Sequence, residues 1–107
     1  MIVDCHGHYT TAPEGLWAWR RSQISSLKNS FSKPKISDQE IRESLESAQL
    51  KIQRERGTDL TFFSPRAGSM EHHVGDVKVS EDWSRECNNL IHRVSSLYPK
   101  NFASVCQ

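Results

Sequence analysis

The sequence predicts an α/β protein with a parallel sheet. Three observations carry that reading. Short apolar or β-branched runs alternate with long stretches of helical periodicity, the segments between strands are long enough for crossover connections, and each strand run stops at turn residues. The first run, Ile2-Val3-Asp4-Cys5-His6, reads as a buried strand that Gly7 ends. Pro13-Glu14-Gly15 then opens a helix of moderate periodicity carrying Leu16, Trp17, Ile24 and Leu27, and Ser30 to Lys35 reads as loop.

Ser37-Asp38-Gln39-Glu40 has the form of a capping box, in which serine and glutamate satisfy each other's backbone N–H groups. Ile41, Leu45, Ala48 and Ile52 follow at helical spacing and Gly57 stands where a left-handed cap belongs, so one helix is expected from Asp38 to Arg56. Leu60-Thr61-Phe62-Phe63 is the second strand, stopped by Ser64-Pro65. Ser80 is the expected cap of another helix, with Trp83, Cys87, Leu90, Ile91, Val94 and Leu97 as its buried stripe and Tyr98-Pro99 as its end. Phe102 to Cys106 begins a third strand.

Three strands with two or three helices neither close a barrel nor finish a doubly wound sheet. Their order fits the N-terminal part of a (β/α)8 TIM-type barrel, a fold of ~250 residues. The expectation is one partial domain over residues 1–107, truncated after the third strand.

Composition removes several function classes. A net charge of +1, with 36% hydrophobic and 25% charged residues, gives no electrostatic footprint for nucleic acid or an anionic membrane. No apolar run approaches the ~20 residues that span a bilayer, and the N-terminus lacks the basic start of a signal peptide, which together point to the cytoplasm. Cys5, Cys87 and Cys106 form no CxxC pair and suit a reducing compartment, so free and mostly buried thiols are expected. There is no GxGxxG, Walker loop or GxSxG, so nucleotide binding and serine hydrolysis have no foothold.

The chemistry concentrates in Asp4-Cys5-His6-Gly7-His8. Histidines one residue apart at a strand end share a face and form a two-pronged metal clamp, although the same pair also fits two polar residues leaving a strand. Asp4 is a candidate orienter of a histidine, or a structural residue. After the second strand, Arg66 offers a fork for a substrate carboxylate, against the reading of a surface arginine. His72 and His73 follow in the same connection as candidate substrate ligands, against the reading of a solvated loop pair. His92 reads as surface, and Trp17 and Trp19 as packing of the first excursion or as a pocket mouth.

Larger blocks narrow this. Met1 to Pro13 with its HGHYTTAP run, Lys35 to Asp38, Arg54 to Thr61, Phe63-Ser64-Pro65-Arg66-Ala67, and His72-His73 with Gly75-Asp76 resemble the start of enzymes in the amidohydrolase-related subgroup of the metal-dependent amidohydrolase superfamily. The resemblance runs along nearly the whole chain and implies a barrel fold. It implies a hydro-lyase adding water reversibly to the double bond of an unsaturated polycarboxylate in gallate and protocatechuate breakdown, with decarboxylation or hydrolysis as alternatives in the same superfamily. By the same resemblance His6 and His8 are ligands of Zn2+ or another divalent ion, and a polycarboxylate gives Arg66, His72 and His73 a task. The remaining ligand and general base of such enzymes have no counterpart here. The chain by itself is therefore expected to be inactive, or to act as a non-catalytic fragment through its exposed sheet edge, with oligomerisation left open.

Overall fold

The computed structural model describes residues 1–25, 32–66, 71 and 73–107, which leaves Leu27, Ala67 and His72 outside the described residues. Along the chain run β1 (Val3–His8), α1 (Glu14–Ser25), α2 (Asp38–Glu46), α3 (Gln49–Arg56), β2 (Leu60–Ser64), α4 (Val77–Leu97) and β3 (Phe102–Ser104). The three strands lie in the order β1-β2-β3 and both pairings are parallel, as the alternation of elements predicts. The helices bury one face of β2: Thr61 and Phe63 are enclosed, and Phe62, pointing the other way, is 41% exposed. Trp83, Phe63, Tyr9, Leu45 and Ile91 lie at the centre of that core.

Five expectations change. β1, read as a buried strand, is exposed from Val3 to His6, since among the described strands it pairs with β2 alone. Gly7 does not end β1; the strand runs on to His8, and an irregularity in the register falls between Asp4 and Gly7. A side chain at position 7 would meet Thr61 Cγ2 and the Phe62 carbonyl oxygen, so the glycine is what lets β1 lie flush on β2.

The single helix from Asp38 to Arg56 is two. The capping box forms as expected, with the Glu40 amide donating to Ser37 Oγ at 3.2 Å and the Ser37 amide donating to Glu40 Oε2 at 2.8 Å. At Ser47-Ala48 the ladder breaks. Ala48 N–H donates three residues back to Leu45 O at 3.2 Å, and the released Ser44 carbonyl accepts instead from the Ser47 hydroxyl at 3.2 Å and the Thr11 hydroxyl at 3.4 Å. Serine hydroxyls competing for helix carbonyls bend or end helices. The break rotates the following turn, so Leu50 and Gln53 are buried and Ile52, expected on the apolar stripe, is 47% exposed.

α4 begins at Val77 and not after Ser80. Its cap is Asp76, whose carboxylate accepts from Val79 N–H at 3.0 Å, and Gly75 enters the helix at a φ of 78° that glycine adopts freely. The thiols are free, but only Cys87 is buried; Cys5, on β1, and Cys106, past the end of β3, are exposed.

Trp19 stacks on Trp83 with ring centroids 6.1 Å apart, and Trp17 meets the same ring at 6.0 Å, so α1 is packed against α4 through aromatic contacts. A buried polar network closes the far side. Gln53 Nε2 donates to Thr61 Oγ1 at 2.9 Å and to Asn101 O at 2.8 Å, and Asn101 Nδ2 donates to Gln53 Oε1 at 3.0 Å. No described helix is long and apolar enough to cross a membrane.

Candidate metal centre

β1 delivers His6 and His8 to the C-terminal end of the sheet. Their rings meet edge to face with centroids 4.6 Å apart, and their Nε2 atoms are separated by 3.0 Å. Two imidazole nitrogens bound to one tetrahedral zinc, each at ~2.0–2.1 Å, lie roughly 3.3 Å apart, so the pair is close to the spacing of two ligands of one ion. Among the described residues no third His, Cys, Asp or Glu joins them. The donor set therefore fits two positions of a divalent metal's shell.

The two rings are held differently. His8 Nδ1 lies 3.0 Å from the Pro65 carbonyl oxygen and 2.7 Å from Ser64 Oγ, while the Ser64 hydroxyl also donates to the Gly7 carbonyl at 3.1 Å. These contacts follow from the register, which sets Gly7 against Phe63 and His8 against Ser64. The Tyr9 amide donates to Ser64 O at 2.9 Å and fixes the same corner. Ser64 and Pro65, read from sequence only as a strand stop, thus belong to the histidine site. Their signal was the strand end itself, which carries meaning only once β2 is placed beside β1.

Among the described residues Asp4 does not bond an imidazole. Its Oδ1 accepts from the His6 backbone N–H at 3.1 Å, bracing the irregular part of the strand. Arg66 is exposed and follows Pro65 directly, so it stands at the same strand end as the histidines. It also lines a cleft with Tyr9, Trp17, Pro65 and Trp83, which makes Trp17 a wall of that cleft while Trp19 is core. His73 lies exposed in the turn before α4, and no hydrogen bond joins it to the histidine pair among the described residues; His72 lies outside them. His92 is exposed on α4.

Two ionisable groups beneath the site are kept neutral. Burial pushes the Tyr9 hydroxyl up to about 12, against the opposing pull of its 2.5 Å hydrogen bond with Ser44 Oγ. Burial likewise pushes the Cys87 thiol up to about 12. Both act as packing groups, not as acids or bases near neutral pH.

No protein-family model matches the chain. A curated relative does: the chain is 50% identical, over 109 aligned positions and 99% of its length, to 2-keto-4-carboxy-3-hexenedioate hydratase of Sphingobium sp. strain SYK-6. It superposes with a TM-score of 0.90 and 47% identity on the crystal structure of 4-oxalomesaconate hydratase LigJ from Rhodopseudomonas palustris, over all of this chain. The chain is similar to one third of a hydratase. It spans 32% of the length of the curated relative and 33% of the solved chain, and the resemblance seen in its motifs extends to its backbone.

Proposed function

We propose that this chain is the N-terminal βα portion of a zinc-dependent, or other divalent-metal-dependent, hydratase built on a (β/α)8 barrel, residues 1–107 being one partial domain of it. The substrate is a polycarboxylate of the 4-oxalomesaconate class, interconverted with 4-carboxy-4-hydroxy-2-oxoadipate in aromatic-acid catabolism in the cytoplasm. The observation that carries this is the 50% identity to a hydratase along nearly the entire chain. The two Nε2 atoms 3.0 Å apart supply the matching chemistry.

His6 and His8 would hold the ion, whose contribution when bound is to stabilise negative charge developing on oxygen during addition of water. Arg66, at the same rim, is suited to a substrate carboxylate through paired N–H donors. His72 and His73 are assigned to further carboxylate contacts. Tyr9, Trp17 and Trp83 line an apolar cleft that Arg66 also lines, which gives that arginine an apolar surround.

A chimera tests this reading. Residues 1–107 joined to the complementary two thirds of the Sphingobium relative should hydrate 4-oxalomesaconate, and His6→Ala in the chimera should abolish turnover. The 107-residue chain alone should show none. A folded, metal-loaded chimera without hydratase activity would refute the assignment.

The exposed edge of β1 favours one second reading, a fragment covered by another chain: among the described strands β1 pairs with β2 alone, Val3 on it is 43% exposed, and Phe62 on the open face of β2 is 41% exposed. A discrete small complex in size exclusion supports it, and a monomer at every concentration removes it.

A further inference from the structure

The histidine pair is asymmetric, and the asymmetry resides in β2. A carbonyl oxygen can only accept, so the 3.0 Å contact between His8 Nδ1 and Pro65 O requires the proton on Nδ1. Ser64 agrees with that requirement. Its hydroxyl hydrogen is directed to Gly7 O at 3.1 Å, which leaves a lone pair facing His8 Nδ1 at 2.7 Å. With Nδ1 protonated, the neutral His8 ring has its free lone pair on Nε2, the atom turned toward His6.

We propose that Ser64, together with the Pro65 carbonyl, is a positioning device for His8. It locks the ring as the Nδ1–H tautomer and presents Nε2 as a ready metal donor, whereas His6 is the adaptable partner. The inference rests on the metal reading above but makes a claim of its own about the metal-free chain. Among the described residues nothing holds the His6 ring comparably: its contacts there are the 3.0 Å approach to His8 Nε2 and, through the backbone, Asp4. In the metal-free pair His6 Nε2–H donates to His8 Nε2. For both Nε2 lone pairs to serve one cation, His6 would give up that hydrogen bond and carry its proton on Nδ1, with no net change in the protons on the two rings. Outer hydrogen-bond partners of this kind typically change metal affinity by about 10–100-fold.

The test is long-range proton–nitrogen NMR of the histidine-labelled 107-residue chain with both rings neutral, first without metal and then with added Zn2+. Wild type should show His8 as the Nδ1–H and His6 as the Nε2–H tautomer. Ser64→Ala should turn His8 into a tautomer mixture and weaken the Zn2+ response about 10-fold, and Ser64→Thr, which keeps the hydroxyl, should restore both. A His8 Nε2–H tautomer in wild type, or a Ser64→Ala chain of native circular dichroism with His8 unchanged, overturns the proposal. Should Ser64→Ala fail to fold, the wild-type and Ser64→Thr tautomers still decide it. A locked His8 whose signals ignore Zn2+ upholds the tautomer assignment and overturns the metal reading.

Discussion

Gly7 lies flush against Thr61: a Cβ at position 7 would overlap Thr61 Cγ2 and stand 3.2 Å from the Phe63 ring. The two residues sit on adjacent strands, Gly7 between the two histidines of β1 and Thr61 in register with Asp4. Gly7→Ala must push β1 away from β2 or turn Thr61 out of the core. Overpacking of this kind costs about 1–3 kcal/mol, which a urea titration reads as a lower midpoint. An unchanged midpoint would mean that the strands separate freely there and that the glycine serves only chain flexibility.

Gln53 fastens α3 to the sheet through one amide shared between Thr61 and Asn101. Its truncation to alanine strands the partners in a buried setting, where each unmet polar group costs about 1–3 kcal/mol. Thermal unfolding of Gln53→Ala should fall well below that of Ile52→Ala, a neighbour on the exposed side of the same helix. Equal losses at the two positions would show the network to be dispensable.

Ser37 caps α2 reciprocally with Glu40, and its hydrogen bonds hold the Glu40 carboxyl below the ordinary carboxylate range. Ser37→Ala should destabilise the chain by about 1 kcal/mol. The carboxyl's contribution is present above its unfolded value and is lost as pH falls through its folded one. The difference between wild type and Ser37→Ala should therefore shrink in acid. A gap of constant size across pH would separate the cap from the carboxylate.

Cys87 and Tyr9 set the alkaline limit. Burial raises the first from its ordinary 9.0 and the second from its ordinary 10.0, both to about 12. A group held protonated by the fold stabilises it fully below its unfolded value and progressively less as pH rises toward its folded one. Stability should decline from about pH 9 upward, and Cys87→Ala should flatten the first part of that decline. Thiol labelling provides an independent check: native protein should take two adducts, at Cys5 and Cys106, and unfolded protein three.

The parts of the fold governed by local periodicity were legible. The capping box, the Gly57 cap and the stripe from Trp83 to Val94 each depend on residues within a few turns of one another, and each stands where the pattern puts it. What escaped depends on distant neighbours. The break at Ala48 is set partly by Thr11, which takes the Ser44 carbonyl from across the molecule, and no helical pattern near position 48 announces it. Gly7 looked like a strand end because its reason for being glycine is Thr61, on another strand. The same holds for the site. That His6 and His8 share a strand face could be read from their spacing, whereas the hold of Ser64 and Pro65 on His8 exists only through the pairing of β1 with β2.

The strand order β1-β2-β3 repeats the order of synthesis. When β2 leaves the ribosome its neighbour β1 already exists, and when β3 follows, β2 is in place to receive it; each new strand of this sheet finds its preceding neighbour already made. Assembly can therefore keep pace with translation, one crossover at a time. The histidine site follows the same timing, because Ser64 and Pro65, the residues that hold His8, are both made before α4.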